Sequence, residues 1–378
     1  MNRLANRYRN ILDFAISSLS RRKWKNLSLL VIYTLIVFAL ASLILFVSAM
    51  KREAAVILKG APSMVVQKMV MGRHDLMPLS YAAEIGAITG VGDVTPRLWG
   101  YYYDALMGAN YTMMVSASLN DDPEDIIIGS GVARLYNLGE GDIMPFLAYD
   151  KSPLLLNVRR VLSYESELAA ADLILMSEEG FRTLYNFPVG YATDLALTIN
   201  NPKEVSTIAA KIADRFPDTR PISRSEILRT YDAIFDWRGG MMIVMLSSAI
   251  FSFIIFAWDK ATGLSAEERK EIGILKSIGW ETADVLLLKF WEGVVISLSA
   301  FLMGVIFAYC HVFFFTAPLF EHALKGWAVL YPRFKLVPAI NAYELAILFF
   351  LTVIPYTTAT IIPSWRAATA DPDTAMRS

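Results

Sequence analysis

Met69, Met71, His74 and Met77 crowd one short stretch beyond Met64, and Met113 and Met114 follow further along the chain. Thioether and imidazole donors suit a soft ion such as copper(I), which makes Met71, His74 and Met77 candidate ligands. Methionine more commonly fills irregular core space, and a single histidine does not complete a site, so the stretch reads first as core and no metal is assigned. The other histidines, His311 and His322, lie far off in the chain, and the one cysteine is Cys310. No nucleophile, base and orienting acid share a recognisable spacing, so the chain is not read as an enzyme. No G-x-x-x-x-G-K-[ST] stretch occurs, which assigns no nucleotide site and no cofactor to this chain.

Charge is concentrated in one run, Glu267-Glu268-Arg269-Lys270-Glu271-Ile272-Gly273-Ile274-Leu275-Lys276-Ser277-Ile278-Gly279-Trp280. It predicts a short helix that stops at Gly279, with an apolar seam at Ile272, Leu275 and Ile278 framed by charges. Such a seam fits a protein partner, although solvated interfacial helices share the pattern. Glu292, with Lys289 one turn before it, sits in an apolar run; an interfacial ion pair accounts for it more simply than an ion or proton site. Gly239-Gly240 marks either a hinge or a place of close helix packing.

The elements that must carry these groups follow from composition. Of 378 residues, 55% are hydrophobic and 19% charged, and the mean hydropathy of +0.43 is too apolar for an ordinary soluble domain. A formal net charge of −1 leaves no basic surplus for nucleic acid. Runs long enough to span a bilayer lie at Leu27 to Met50, Met241 to Trp258, Val285 to His311 and Tyr343 to Ile362, predicting four transmembrane helices. Pro355 falls inside the last, where the missing helical hydrogen bond predicts a kink. Arg3, Arg7, Arg9, Arg21, Arg22, Lys23 and Lys25 against Asp13 place the N-terminus in the cytoplasm, and an even number of spans returns the C-terminus there. Lys51, Arg52 and Lys59 weaken that asymmetry without reversing it. Residues 1–26 then read as a cytoplasmic amphipathic elbow, with Tyr8, Ile11, Leu12, Ala15 and Leu19 laid on the membrane face.

Residues 51–240 form the large extracytoplasmic segment, long enough for its own α+β core. Strands are predicted at Ser63 to Val70, Tyr111 to Ser116, Asp125 to Ile128 and Asp194 to Ile199. Helices are predicted at Leu79 to Ile88, Gly131 to Asn137, Ser177 to Tyr185 and Pro202 to Phe216, the last capped by Asn201 with Pro202 at its first position. Helical stalks, Glu53 to Leu58 and Ile227 to Phe235, join the segment to its flanking spans. The remaining divisions are a cytoplasmic loop at 259–284, an extracytoplasmic loop at 312–342 and a tail at 363–378.

The charged run resembles the E-R-x-x-E-I-G-x-L-K-A-x-G stretch of FtsX-like permeases, with Glu268, Arg269, Glu271, Ile272, Gly273, Leu275, Lys276 and Gly279 in register. Pro363-Ser364-Trp365-Arg366-Ala367-Ala368 with Asp371-Pro372 and Ala375-Met376-Arg377 is similar to that family's closing pattern. Ile126-Ile127-Ile128-Gly129, then Ala133, Leu135, Leu138, Gly141 and Asp142, resembles the MacB-type periplasmic core domain, as does Ala192-Thr193-Asp194 followed by Asn201-Pro202. The Gly239-Gly240 break departs from the family pattern, and Met64 to Asn120 is where the resemblance is weakest.

The resemblance implies a four-span permease of the MacB-like (type VII) ABC class in a bacterial cytoplasmic membrane. It implies a coupling helix at the charged run that docks on a separate ATP-binding subunit holding ATP and Mg2+. It further implies a second permease, identical or not, an accessory protein outside the membrane, and an envelope substrate handled there. The alternative from another class is an FtsX-type signalling scaffold that activates an extracytoplasmic hydrolase and transports nothing; the size of the segment at 51–240 favours transport.

Overall fold

Helix formers without a breaker fill the N-terminal segment and continue through the first apolar run, and in the computed structural model they give two successive helices, α1 (Asn2–Arg21) and α2 (Lys23–Lys59). The structure describes residues 2–163, 170–230, 233, 244, 247–248, 250–255, 258, 266–320, 330 and 336–369. The chain divides into two compact units: Met1–Met50 with Phe235–Pro318 and Val337–Ser378, and Lys51–Ile234 with Leu319–Leu336.

The second unit is an α+β domain with two sheets. One contains β1 (Met64–Val70) and β2 (Arg73–Asp75); beside it lies a small pair begun by β3 (Met77–Pro78). Next come α3 (Ser80–Gly86), β4 (Val91–Arg97), β5 (Trp99–Asp104), β6 (Ala109–Val115), β7 (Asp125–Ile128), α4 (Ser130–Tyr136), β8 (Ile143–Leu147) and β9 (Pro153–Val161). The domain closes with β10 (Leu173–Met176), α5 (Glu178–Tyr185), β11 (Tyr191–Ala192), β12 (Asp194–Ile199), α6 (Val205–Arg215) and β13 (Thr219–Ser223). The first sheet runs β13-β1-β12-β4 with β2 hydrogen-bonded to β1, and the second runs β5-β6-β10-β7-β9-β8.

Each sheet buries one face under helices. Ile85 of α3 and Ile208 and Ile212 of α6 close over Met64, Val66, Leu195 and Leu197. Val132 of α4 and Phe181 and Leu184 of α5 join a second core with Tyr111, Met113, Ile128, Phe146 and Ile174. Local chemistry ends the helices: α5 begins with Ser177 Oγ accepting from the Gly180 amide at 3.0 Å, and α4 and α5 stop at Asn137 and Asn186, both left-handed. Asn201 caps as expected, its Oδ1 accepting from the Lys203 amide at 3.1 Å, but Pro202–Glu204 is a 3-10 turn before α6 starts. The sheets meet through β4 and β5, where buried Asp194 accepts from Arg97 Nε and Nη2 at 2.7 and 2.8 Å and from Trp99 Nε1 at 2.9 Å.

The other unit holds α7 (Ala266–Ser277), α8 (Thr282–Tyr309), which passes into a π-helical turn at Cys310–Phe314, and α9 (Ala342–Thr369), unbroken through Pro355. Among the described residues three helical stretches are long and apolar enough to cross a membrane: Lys23–Glu53, Thr282–Phe314 and Ala342–Ile361. Most of the expected span from Met241 to Trp258 lies outside the described residues, as do Gly239, Gly240 and the end of the chain from residue 370; residues 250–255 are helical. Helix packing uses small residues and hydroxyls, as apolar surroundings favour. Gly293 faces Thr357 and Thr360, Gly304 faces Val37, and Ser297 Oγ lies 3.4 Å from Thr357 Oγ1. The Tyr33 ring stacks on Phe253 at 4.9 Å and on Tyr356 at 5.0 Å, while its hydroxyl donates to the Thr352 carbonyl.

Candidate functional site

The charged helix α7 ends in a Schellman motif. Gly279 takes φ +100°, its amide donates to the Lys276 carbonyl at 3.1 Å, and the Trp280 amide reaches back to Leu275 at 3.0 Å. A residue with a Cβ resists that backbone, which gives Gly279 its structural role. The chain turns at once into α8, where the Glu281 amide donates to Asp284 Oδ2 at 3.3 Å. Trp280, folded back by the motif, packs beside Leu275 and Leu288.

α7 has two unlike faces. Ile272 and Leu275 are only 4% and 5% exposed, and Gly273 is buried with them. Leu275 packs with Ile11 and Ala15 of α1 and Leu288 of α8, and the Phe14 and Trp280 rings approach to 5.5 Å at the border. Above this cluster Glu271 accepts from Arg21 Nη2 at 2.5 Å and Arg22 Nη2 at 2.7 Å. A carboxylate bridging two guanidiniums, one of them exposed, adds about 1–2 kcal/mol at most. The opposite face is open: Lys270 and Ser277 are exposed, and Ile274 and Ile278 are 48% and 69% exposed.

Two expectations are corrected by this arrangement. Ile272, Leu275 and Ile278 do not form one outward seam, because the first two are buried, Leu275 against α1 and α8, which leaves Ile278 with Ile274, its i−4 neighbour. α1 does not lay Ile11 and Ala15 on lipid; protein covers both, leaving Ile16 at 50% exposure. Sequence reading missed the Arg21–Glu271 and Arg22–Glu271 pairs, whose only signal is an arginine pair at the end of an amphipathic helix. Lys276 is half-buried, and Glu268 and Arg269 are placed in the helix backbone.

The remaining candidates separate. Met71 is 98% exposed at a hairpin tip, Met77 is fully buried in the core, and the His74 Nε2–H donates to the Thr193 carbonyl at 3.0 Å. They do not converge on a common point, and no cluster of three His, Cys, Asp or Glu able to hold a metal occurs among the described residues. Lys289 Nζ and Glu292 Oε2 form an ion pair at 2.6 Å with both side chains nearly buried.

Residues 239–372 match the FtsX-like permease C-terminal domain, a stretch that includes all of α7, α8 and α9. The crystal structure of the periplasmic region of MacB from Actinobacillus actinomycetemcomitans aligns over 45% of this chain and 92% of its own, with 11% identity and a TM-score of 0.32. The extracellular domain of the noncanonic ABC-type transporter YknZ from Gram-positive bacteria aligns over 42% of this chain and 99% of its own, with 9% identity and a TM-score of 0.29. No curated protein matches the chain.

Proposed function

We propose that this chain is the transmembrane permease subunit of an ABC transport complex, receiving mechanical input at α7 from a separate ATPase that holds ATP and Mg2+. The two-sided character of α7 carries the reading. Its inner face is fixed to α1 and α8 by Leu275 and Glu271, while Ile274 and Ile278 stand free between Lys270 and Ser277. A helix gripped on one side and apolar on the other passes a push into α8 rather than absorbing it. Lys270 rims the open face, Glu268, Arg269 and Lys276 belong to the same docking helix, and Gly279 closes it.

With the basic residues before α2 cytoplasmic, α7 is cytoplasmic and the α+β domain is extracytoplasmic. Input and output then lie on opposite sides of the membrane. A second permease, identical or not, and an accessory protein outside the membrane complete the complex, and the cargo is an envelope substrate handled by the domain. Switching such an assembly almost completely requires ATP binding to favour one arrangement by about 5 kcal/mol.

The test is co-expression with the ATPase encoded beside this chain, purification in nanodiscs, and comparison of wild type with Ile274→Asp and Ile278→Asp. Release of the ATPase from both variants, with the permease still folded, is the expected result. An ATPase that stays bound to both with unchanged hydrolysis overturns the reading.

A further inference from the structure

On α2, Leu27, Leu30, Val31, Thr34, Leu35 and Phe38 recur at three- and four-residue steps and so share one face. That face meets α8 along two cavities of about 370 and 430 Å³. Both are bordered by Leu27 and Leu30, so they form one groove, reaching from Lys23 and Trp24 at one end to Phe38 and Phe307 at the other. Its walls are apolar along the length, and its mouth is cationic. Lys23 and Trp24 are exposed there, with the Lys23 ammonium 5.9 Å from the Trp24 ring centroid; among the described residues it meets no carboxylate. The Asn26 amide is committed to the Leu19 carbonyl at 2.9 Å, which holds the α1–α2 corner at the mouth.

The length of the groove decides what fits. From Lys23 to Phe38 along a helix rising about 1.5 Å per residue is about 22 Å. Half of a bilayer, its hydrocarbon plus one headgroup layer, is about 20–22 Å deep. A crossing helix from another chain needs about 30 Å of apolar face, more than the groove offers. The occupant that matches on length, apolar wall and cationic end is a single-leaflet amphiphile with an anionic head. We propose that the groove between α2 and α8 holds one anionic glycerophospholipid of the surrounding membrane, its phosphate at Lys23 and one acyl chain along Leu27 to Phe38. This rests on α2 and α8 crossing a bilayer and not on the ATPase assignment.

The test uses the full chain, with whatever subunits co-purify, reconstituted in phosphatidylcholine nanodiscs with or without phosphatidylglycerol and then released for native mass spectrometry. Wild type retains one phosphatidylglycerol per chain in preference to phosphatidylcholine. Lys23→Gln lowers that preference about five-fold, the worth of one basic group at a membrane surface. Leu30→Trp fills the groove and loses the lipid, and Leu302→Trp, on an exposed face of α8 outside it, retains the lipid. Should Leu30→Trp fail to fold, Val31→Trp blocks the same groove from a more exposed position. Absence of retained lipid from wild type, or equal retention by the Lys23 and groove-filling variants, overturns the proposal. So does a disulfide between two copies bearing Leu35→Cys, which puts a second chain in the groove.

Discussion

Leu275 of α7 and Ile278, the residue that follows its last turn, lie three residues apart and are assigned opposite tasks by their surroundings. Leu275→Ala cuts an isobutyl group back to a methyl at 5% exposure, leaving a gap between Ile11, Ala15 and Leu288. Buried Leu→Ala changes cost about 2–5 kcal/mol, and a small cluster bordered by adaptable rings collapses partly into the gap, which puts the loss near 2 kcal/mol. Ile278→Ala, at 69% exposure, changes stability by about 0.5 kcal/mol or less. Hydrogen exchange on the nanodisc complex separates the two. In Leu275→Ala the α7 amides exchange about thirty-fold faster, because their opening free energy falls by that 2 kcal/mol. In Ile278→Ala exchange is unchanged without the ATPase, and the protection that ATPase binding confers on α7 is lost. Unchanged exchange in Leu275→Ala, or equal loosening in both variants, refutes the division of α7 into an anchored and a docking face.

The Arg97–Asp194–Trp99 network makes Asp194→Asn costly, since Asp194 is 1% exposed and accepts all three hydrogen bonds. A loss of about 2 kcal/mol is expected, lowering the thermal midpoint of the α+β domain by roughly 4–8 °C in circular dichroism; an unchanged midpoint refutes a structural role for the network. Burial pushes the phenols of Tyr111 and Tyr185 above the ordinary value of 10.0, with the hydrogen bond to Asp104 and its charge adding to the effect at Tyr111. The neutral form is therefore favoured in the fold, so this stabilisation is complete below about pH 10 and is lost as pH rises toward the raised folded values. Alkaline titration should show domain stability falling above that pH and Tyr111→Phe removing part of the slope; a slope identical to wild type counts against it.

Much of the domain was legible because its signals are local. Asp125–Ile128 and Asp194–Ile199 are strands over the residues their apolar patterns indicate, and the Asn201 cap functions as read. The strands that escaped reading include β4, β5, β8 and β13, and these are the four edges of the two sheets. Edges tolerate residues that argue against a strand, and three of them carry Pro96, Pro145 and Pro221. Leu173–Met176 escaped for another reason: a short, wholly apolar run does not distinguish a strand from a buried helix. At α7 the helix and its Gly279 stop were legible, but its inner and outer faces were not. What decides them is α1, whose Arg21 and Arg22 meet Glu271 across some 250 residues of sequence. The methionine stretch reads correctly as core at Met64 and Met77, while Met71 at its hairpin tip follows no core pattern.

A push delivered to α7 reaches the rest of the helical unit through α1 and α8, and two glycines of α8 sit close against neighbouring helices. A Cβ at Gly304 would stand 2.6 and 2.7 Å from Val37 Cγ1 and Cβ and 3.0 Å from the Phe38 nitrogen. The Val37 Cβ and the Phe38 nitrogen are held by the α2 backbone, so no side-chain rotation relieves the clash and the helices must part. A Cβ at Gly293 would meet Thr360 Oγ1 at 2.7 Å, the end of a rotatable side chain, with the Thr357 Cα at 3.8 Å. Gly304→Ala is therefore expected to cost about 1–3 kcal/mol and Gly293→Ala distinctly less. Thermal inactivation of the nanodisc complex should rank the variants in that order, and ATPase stimulation by the permease should fall more for Gly304→Ala. The reverse order would mean that α8 grips α9 more tightly than α2, and that motion entering at α7 leaves through α9.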